Sequence, residues 1–304
     1  MKRSFLIILL TLLLPAAAFA QRGLSALSAV PSGSVVVASI DWKAVRHVGA
    51  LKKIFRGDDV AQMLEQIGSP EENISEIAIF SGIDISSNGR IGLLARGKFV
   101  PAVIARNLTK QGWTVERTGK RTGYLNPKDD SRLMLLGPGL LVMGTKDAVN
   151  RASDAFSRPR QAMIKQPAFG SIMAGLGGAP VRLFIGIPEQ YRSVANIAFT
   201  IGTKMMAFAG MGIIGTILDK IGLIQSVGLS VNSRGEVFPL HMIAAMPDRT
   251  RASVAAAGLN LLKKSAAYIK NGDLGDVSAN SLVAASAGNL LSIKLDMPAS
   301  MMPG

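Results

Sequence analysis

The chain contains no cysteine and only two histidines in 304 residues. The first absence removes disulfides, thiolate nucleophiles and cysteine-rich metal sites. The second restricts any histidine-based catalysis to His47 or His241. Aromatic residues make up 5% and charged residues 18%, the latter below the usual quarter. Acidic residues are the scarcer sign, 20 against 34 lysines and arginines. Several familiar signatures are missing as well. There is no H-E-x-x-H, no G-x-S-x-G elbow, no calcium-loop spacing and no S-x-x-K nucleophile pattern.

What is present begins at the N-terminus. MKRSFLIILLTLLLPAAAFA places Lys2 and Arg3 before an apolar run from Phe5 to Leu14, then Ala18-Phe19-Ala20. That order predicts a cleaved secretory signal peptide over 1–20. The run is too short to span a bilayer comfortably, and Pro15 interrupts it before the cleavage region. The expected location is outside the cytoplasm, in the periplasm or beyond, with association to a membrane surface allowed. An exported chain without cysteine must be held by packing alone, which suits a large bacterial envelope protein. Without Lys2 and Arg3, the basic count of 34 falls to 32 against 20 acidic residues, a net of +12. Residues 21–165 carry +8 of it and residues 166–304 the other +4. Outside the cytoplasm the partners for such a charge are lipid headgroups, lipopolysaccharide or acidic wall polymers. Charge can equally serve solubility alone. Few aromatics stand near the basic residues, which argues against stacked nucleic-acid bases.

The chain hides a repeat. VVVASIDWKAVRHV and VRLFIGIPEQYRSV each read as a strand entering a helix. AQMLEQIG (61–68) and GTILDKIG (215–222) each precede two strands around a turn, at SSNGR and NSRGE. Helices then follow at 101–112 and 249–270, and further strands after both. The expected fold is α+β: two related domains from an internal duplication, each a mainly antiparallel sheet with helices packed on one face. The first domain spans 21–156, a basic, proline-bearing linker 157–179, and the second domain 180–304, with an enlarged apolar helical region at 189–222. A single sheet continuous across both halves fits the same pattern.

The helical stretch KMMAFAGMGIIGTILDKIG (204–222) contains Gly210, Gly212 and Gly215 in a G-x-G-x-x-G spacing. A dinucleotide loop needs a parallel strand before it and a long helix after it. Here the preceding residues have helical period, and Gly222 stops the following helix after about two turns. A membrane span is too short at this position. Buried helices meeting at a glycine hinge, a surface-embedded helix and an apolar-ligand site remain open. For the last two, the contacting residues would be Ile201, Met205, Met206, Phe208, Met211 and Ile214, since methionine adapts to varied apolar shapes.

Candidate anion contacts are Lys43, Arg46, Lys52, Lys53 and Arg56 on a basic amphipathic helix, and Arg117, Lys120 and Arg121 on a predicted hairpin. A basic helix face can lie on an anionic membrane, or be merely solvated. His47 sits among these cations, which work against an imidazolium. His241 sits in the strand EVFPLHMIAAM and is read as a packed or rim residue. The doublets Asp58-Asp59, Glu71-Glu72 and Asp129-Asp130 all adjoin turn formers and are read as caps and turns. No catalytic residue, cofactor or metal is expected.

VPSGSVVVASIDWKAV and LMLLGPGLLVMGTKDAVNRASDAF together resemble exported bacterial proteins of unknown function. The resemblance implies export and no particular activity. The sequence therefore points to a non-catalytic envelope protein, a binding or structural module for an anionic or amphipathic partner. Two other readings stand beside it: a carrier or sensor of an apolar, lipid-like ligand, and a carboxylate-dependent hydrolase.

Overall fold

The computed structural model describes residues 25–48, 67–82, 91–118, 121–190, 192, 224–233, 237–266 and 281–298. The leader at 1–20, the turns at 86–90 and 234–236, and the apolar stretch 193–222 lie outside the described residues. Twelve strands form one sheet, and every neighbouring pair is antiparallel. The fold is thus mixed, with a large antiparallel sheet and few helices.

In the first half the strands are β1 (Val36–Asp41), β2 (Ile74–Ser81), β3 (Ile91–Gly97), β4 (Thr114–Thr118), β5 (Arg121–Leu125), β6 (Arg132–Gly137) and β7 (Leu140–Gly144). The second half supplies β8 (Val181–Gly186), β9 (Ser226–Val231), β10 (Val237–Ala245), β11 (Val283–Ala287) and β12 (Leu290–Pro298). Their order across the sheet is β11-β12-β10-β9-β8-β1-β2-β3-β7-β6-β5-β4. The halves meet at the β1–β8 pair, where Val37 stands opposite Phe184 and Ser39 opposite Arg182.

Helices lie against both faces of this sheet, which corrects the expectation of one covered face. The strands explain it. ISEIAIFS of β2 turns Ala78 and Phe80 to one face and Ile77 and Ile79 to the other. A sheet apolar on both sides must be covered twice. On the first face lie the 3-10 turn Ala26–Ala29, α3 (Lys146–Ser157) and α4 (Pro167–Leu176). On the second face lie α1 (Trp42–Val45), α2 (Pro101–Lys110) and, over β11 and β12, α5 (Arg249–Ala266).

Local chemistry sets these helices. Pro101 and Pro167 open α2 and α4, where a missing N–H costs nothing. Thr145 caps α3 by accepting from the Ala148 N–H at 3.4 Å. Residues 157–179, read as a linker, hold the whole of α4, whose Phe169, Ile172, Met173 and Leu176 are buried. Phe169 meets Phe184 of β8 edge-on, ring centroids 5.0 Å apart. Alpha-4 sits close to the sheet because Gly228 of β9 and Gly175 of the helix lack side chains. A Cβ on Gly228 would overlap Ile172, and one on Gly175 would overlap Ile243. One buried cluster on this face draws on both halves, from Val37 and Leu94 to Phe184 and Ile243.

Candidate functional site

On the first face, one row of residues runs straight across five neighbouring strands. Ser39 of β1 opposes Arg182 of β8, Arg182 opposes Ser230 of β9, Ser230 opposes His241 of β10, and His241 opposes Lys294 of β12. Two residues along, the row is apolar or small: Val37, Phe184, Gly228 and Ile243. Alpha-4 covers that row and stops. Gly177, with φ of 68°, turns the chain back toward β8. Arg182 finishes the helix by donating from Nη1 to the Gly177 carbonyl at 3.4 Å and from Nη2 to Ser39 Oγ at 3.2 Å, a cation at a helix C-terminus.

Beyond the end of α4 the polar row lies open. A cavity of about 590 Å³ forms there, within the usual size of small-molecule sites. Its floor carries Ser230, His241, Lys294 and Asp296, and its wall includes Leu176 and Ala179. Ser230 is 3% exposed, whereas Lys294 and Asp296 reach solvent.

The charges in this pocket are uneven. Lys294 has no carboxylate within 4 Å among the described residues. The proton affinity of His241 is lowered from its ordinary 6.5, first by burial and then by the nearby Lys294 charge. Asp296 shares the floor but does not offset Lys294 at the ring. The neutral imidazole bonds through Nε2 to Ser292 Oγ at 2.8 Å.

A serine 2.8 Å from a histidine has the spacing of a nucleophile and its base. Such a base needs an orienting group on its other nitrogen, and among the described residues no carboxylate bonds to His241 Nδ1. The field of Lys294 also opposes the imidazolium that base catalysis must form. These groups suit binding better than proton transfer. No group of three or more His, Cys, Asp or Glu side chains among the described residues could hold a metal.

Among the described residues, the expected anion contacts stand in two places, as expected for a helix and a hairpin. Lys43 is exposed on α1, and Arg46 beside it donates from Nε to His47 Nε2 at 3.3 Å. Arg117 is exposed on β4 at the sheet edge, six strands from β1, or about 29 Å at 4.8 Å per strand. Arg121 is occupied: it donates to the carbonyl and the hydroxyl of Ser153 on α3 and stacks over Phe156 at 5.3 Å. Nearby Arg132 is structural too. Burial works against its charge, but Glu116 and Asp130 outweigh that and raise its proton affinity. Lys52, Lys53, Arg56 and Lys120 lie outside the described residues, as do Ile201, Met205, Met206, Phe208, Met211 and Ile214. Asp129 and Asp130 form the turn between β5 and β6, with Asp129 accepting from the Ser131 hydroxyl and N–H.

Sequence reading missed Lys294, Asp296 and Ser230 as a group. The signal existed in alternation: SVGLSV and LLSIKLD each place small or polar residues on one face and apolar ones on the other. Which strands would be neighbours was not written there.

No described helix is long and apolar enough to cross a membrane. No protein-family model and no curated protein matches the sequence. Among solved structures the chain is similar to TP0453. With its crystal form III the TM-score is 0.50 at 13% identity, covering 92% of this chain and 96% of that one. With crystal form IV the TM-score is again 0.50 at 13% identity, over 90% and 92% of the two chains. At that identity the chain shares a fold with TP0453.

Proposed function

We propose that this chain is a non-catalytic, exported envelope protein that binds an anionic or amphipathic envelope component. The supporting observation is the pocket at the end of α4, where Lys294 stands without a counter-ion beside a neutral His241. A fixed cation without an internal partner takes its counter-ion from outside the chain. The leader at 1–20 supports export, and the net charge of +12 beyond it supports an anionic partner.

The two halves are, in this reading, copies of one ancestral unit. The strand order supports it. Moving outward from the β1–β8 pair, one side reads β1, β2, β3, β7, β6 and the other β8, β9, β10, β12, β11. Helices α2 and α5 follow β3 and β10 and pack on the same face. The first half then carries an extra hairpin, β4–β5, inserted before β6. On the α4 face the two copies share one buried cluster.

Flotation of the chain beginning at Gln21 tests the binding reading. Vesicles containing phosphatidylglycerol should carry the protein upward, and pure phosphatidylcholine vesicles should not. Equal flotation with both would remove this reading, and flotation with neither would remove it unless a soluble envelope anion binds the chain.

A further inference from the structure

From the geometry of this pocket we infer that it seats a single phosphodiester of a polyol-bearing ligand between Lys294 and His241, and that His241 takes up a proton from solvent as the ligand binds. The inference rests on the anionic-partner reading above and names the chemistry of the same site.

Charge count fixes the class. Lys294 is the one fixed cation on the pocket floor, and Asp296 stands on the same strand face two residues away. A doubly charged monoester would face one fixed cation and an adjacent carboxylate. A phosphodiester, with a single delocalised charge, is matched by Lys294 alone. Its remaining oxygens need neutral or convertible donors, which His241 and the Ser230 hydroxyl supply. The hydroxyls of a polyol body fit Asp296 and Asn232, both acceptors at the rim. The cavity, about 590 Å³, exceeds a bare phosphate several times over.

Proton coupling follows from what faces His241. From β12 there are Lys294, Asp296 and Ser292; from β9 there is Ser230. Arg182 lies two strands away, outside the pocket lining, with Nη1 on the Gly177 carbonyl and Nη2 on Ser39. The end of α4 contributes Leu176, Gly178 and Ala179, which carry no charge. In the empty pocket burial, and then the Lys294 charge, disfavour the protonated ring. A bound anion cancels the Lys294 field and favours the imidazolium. Nε2–H then donates to Ser292, and Nδ1–H is free to donate to the ligand. Binding therefore strengthens as pH falls.

The test uses glycerophosphoglycerol, a soluble phosphodiester whose charge is constant near neutrality, and vesicles of phosphatidylglycerol in phosphatidylcholine. Calorimetry of the full mature chain should give affinity on the order of fivefold higher at about pH 5.5 than at about pH 7.5. Repeating it in two buffers of different ionisation heat should show proton uptake. The His241 ring signal, separated from the other histidine by a His47→Gln variant, should move on titration. Lys294→Gln should abolish that movement. Release of the protein from vesicles by the soluble diester would assign the natural source to a lipid headgroup. Soluble binding without vesicle binding would assign it to a non-lipid diester. A stationary His241 signal with affinity unchanged by Lys294→Gln overturns the inference. If vesicles still float that variant at either pH, the anionic-partner reading survives and only the pocket assignment falls.

Discussion

The two halves of the sheet treat the same face differently. In the first half, α3 and the 3-10 turn Ala26–Ala29 cover strands whose residues there are Ala78, Phe80, Leu94, Met134 and Val142. In the second half, α4 covers only the row from Phe184 to Ile243 and ends at Gly177. What it leaves uncovered is the pocket over Ser230, His241 and Lys294, with Ser230 buried at its floor. One architecture thus yields a sealed core on one side and an open pocket on the other. The difference lies in where a helix stops and in three alternating positions on three strands.

The sharpest way to break the comparison is to attack the core the halves share. Phe184→Ala removes the ring that Phe169 packs against, at the junction strand. It should cost about 3–5 kcal/mol, and unfolding in urea should remain a single transition. Two separated transitions would mean that the halves hold themselves together independently.

Next comes the seat of α4. Gly228→Ala drives a methyl into Ile172 and must lift the helix. Destabilisation of about 1–3 kcal/mol is expected, with altered ligand affinity because the helix end forms the pocket wall. Unchanged stability would show that α4 is not clamped as described.

The sheet edges differ as well. Beta-4 (TVERT) carries Glu116 and Arg117, charges that discourage pairing with another strand. Beta-11 (VAASA) carries none, and Val283 is 52% exposed. Its protection comes from Asn260 of α5, whose amide bonds both the N–H and the C=O of Ala284, at 3.3 and 2.8 Å. Asn260→Ala should cost about 1–3 kcal/mol and raise self-association in size-exclusion chromatography. Glu116→Ala should not raise association, because Arg117 remains on that edge.

The smallest effect is on pH dependence. Burial, then Lys294, lowers the proton affinity of His241 in the folded chain. The unfolded chain therefore binds more protons below the ordinary value of 6.5. Stability should fall as pH drops below that value and be flat above it. His241→Gln should remove this contribution, as read by urea denaturation at about pH 5 and about pH 7.

Much of the fold is legible in the residues. Pro101, Gly112 and Thr145 mark helix ends, and WTVERTG reads as a half-exposed strand. The α+β class follows from their order. Alpha-4 is harder to read, because PAFGSIMAGL follows the aperiodic SRPRQAMIKQ and contains two glycines that disfavour a helix. Close packing on Gly228 supplies what propensity lacks. The both-sided burial of the first half shows in near-continuous apolar runs such as LMLL, but assigning helices to each face needs the register. The pocket needs still more. Ser230, His241 and Lys294 are separated by up to 64 positions and meet only because β9, β10 and β12 are neighbours. Of the two basic groups conspicuous in sequence, the described members Lys43 and Arg117 stand far apart, and Arg121 is held by α3.

The most direct measurement compares two charge reversals of equal size. Lys294→Glu changes the pocket, and Arg117→Glu changes an exposed position at the opposite end of the sheet. Both variants should be assayed by co-sedimentation with phosphatidylglycerol-containing vesicles at one ionic strength, after circular dichroism confirms folding. A discrete pocket predicts a loss on the order of tenfold or more for Lys294→Glu, and no more than about twofold for Arg117→Glu. Equal losses in the two variants would contradict the pocket and reduce the attraction to net charge.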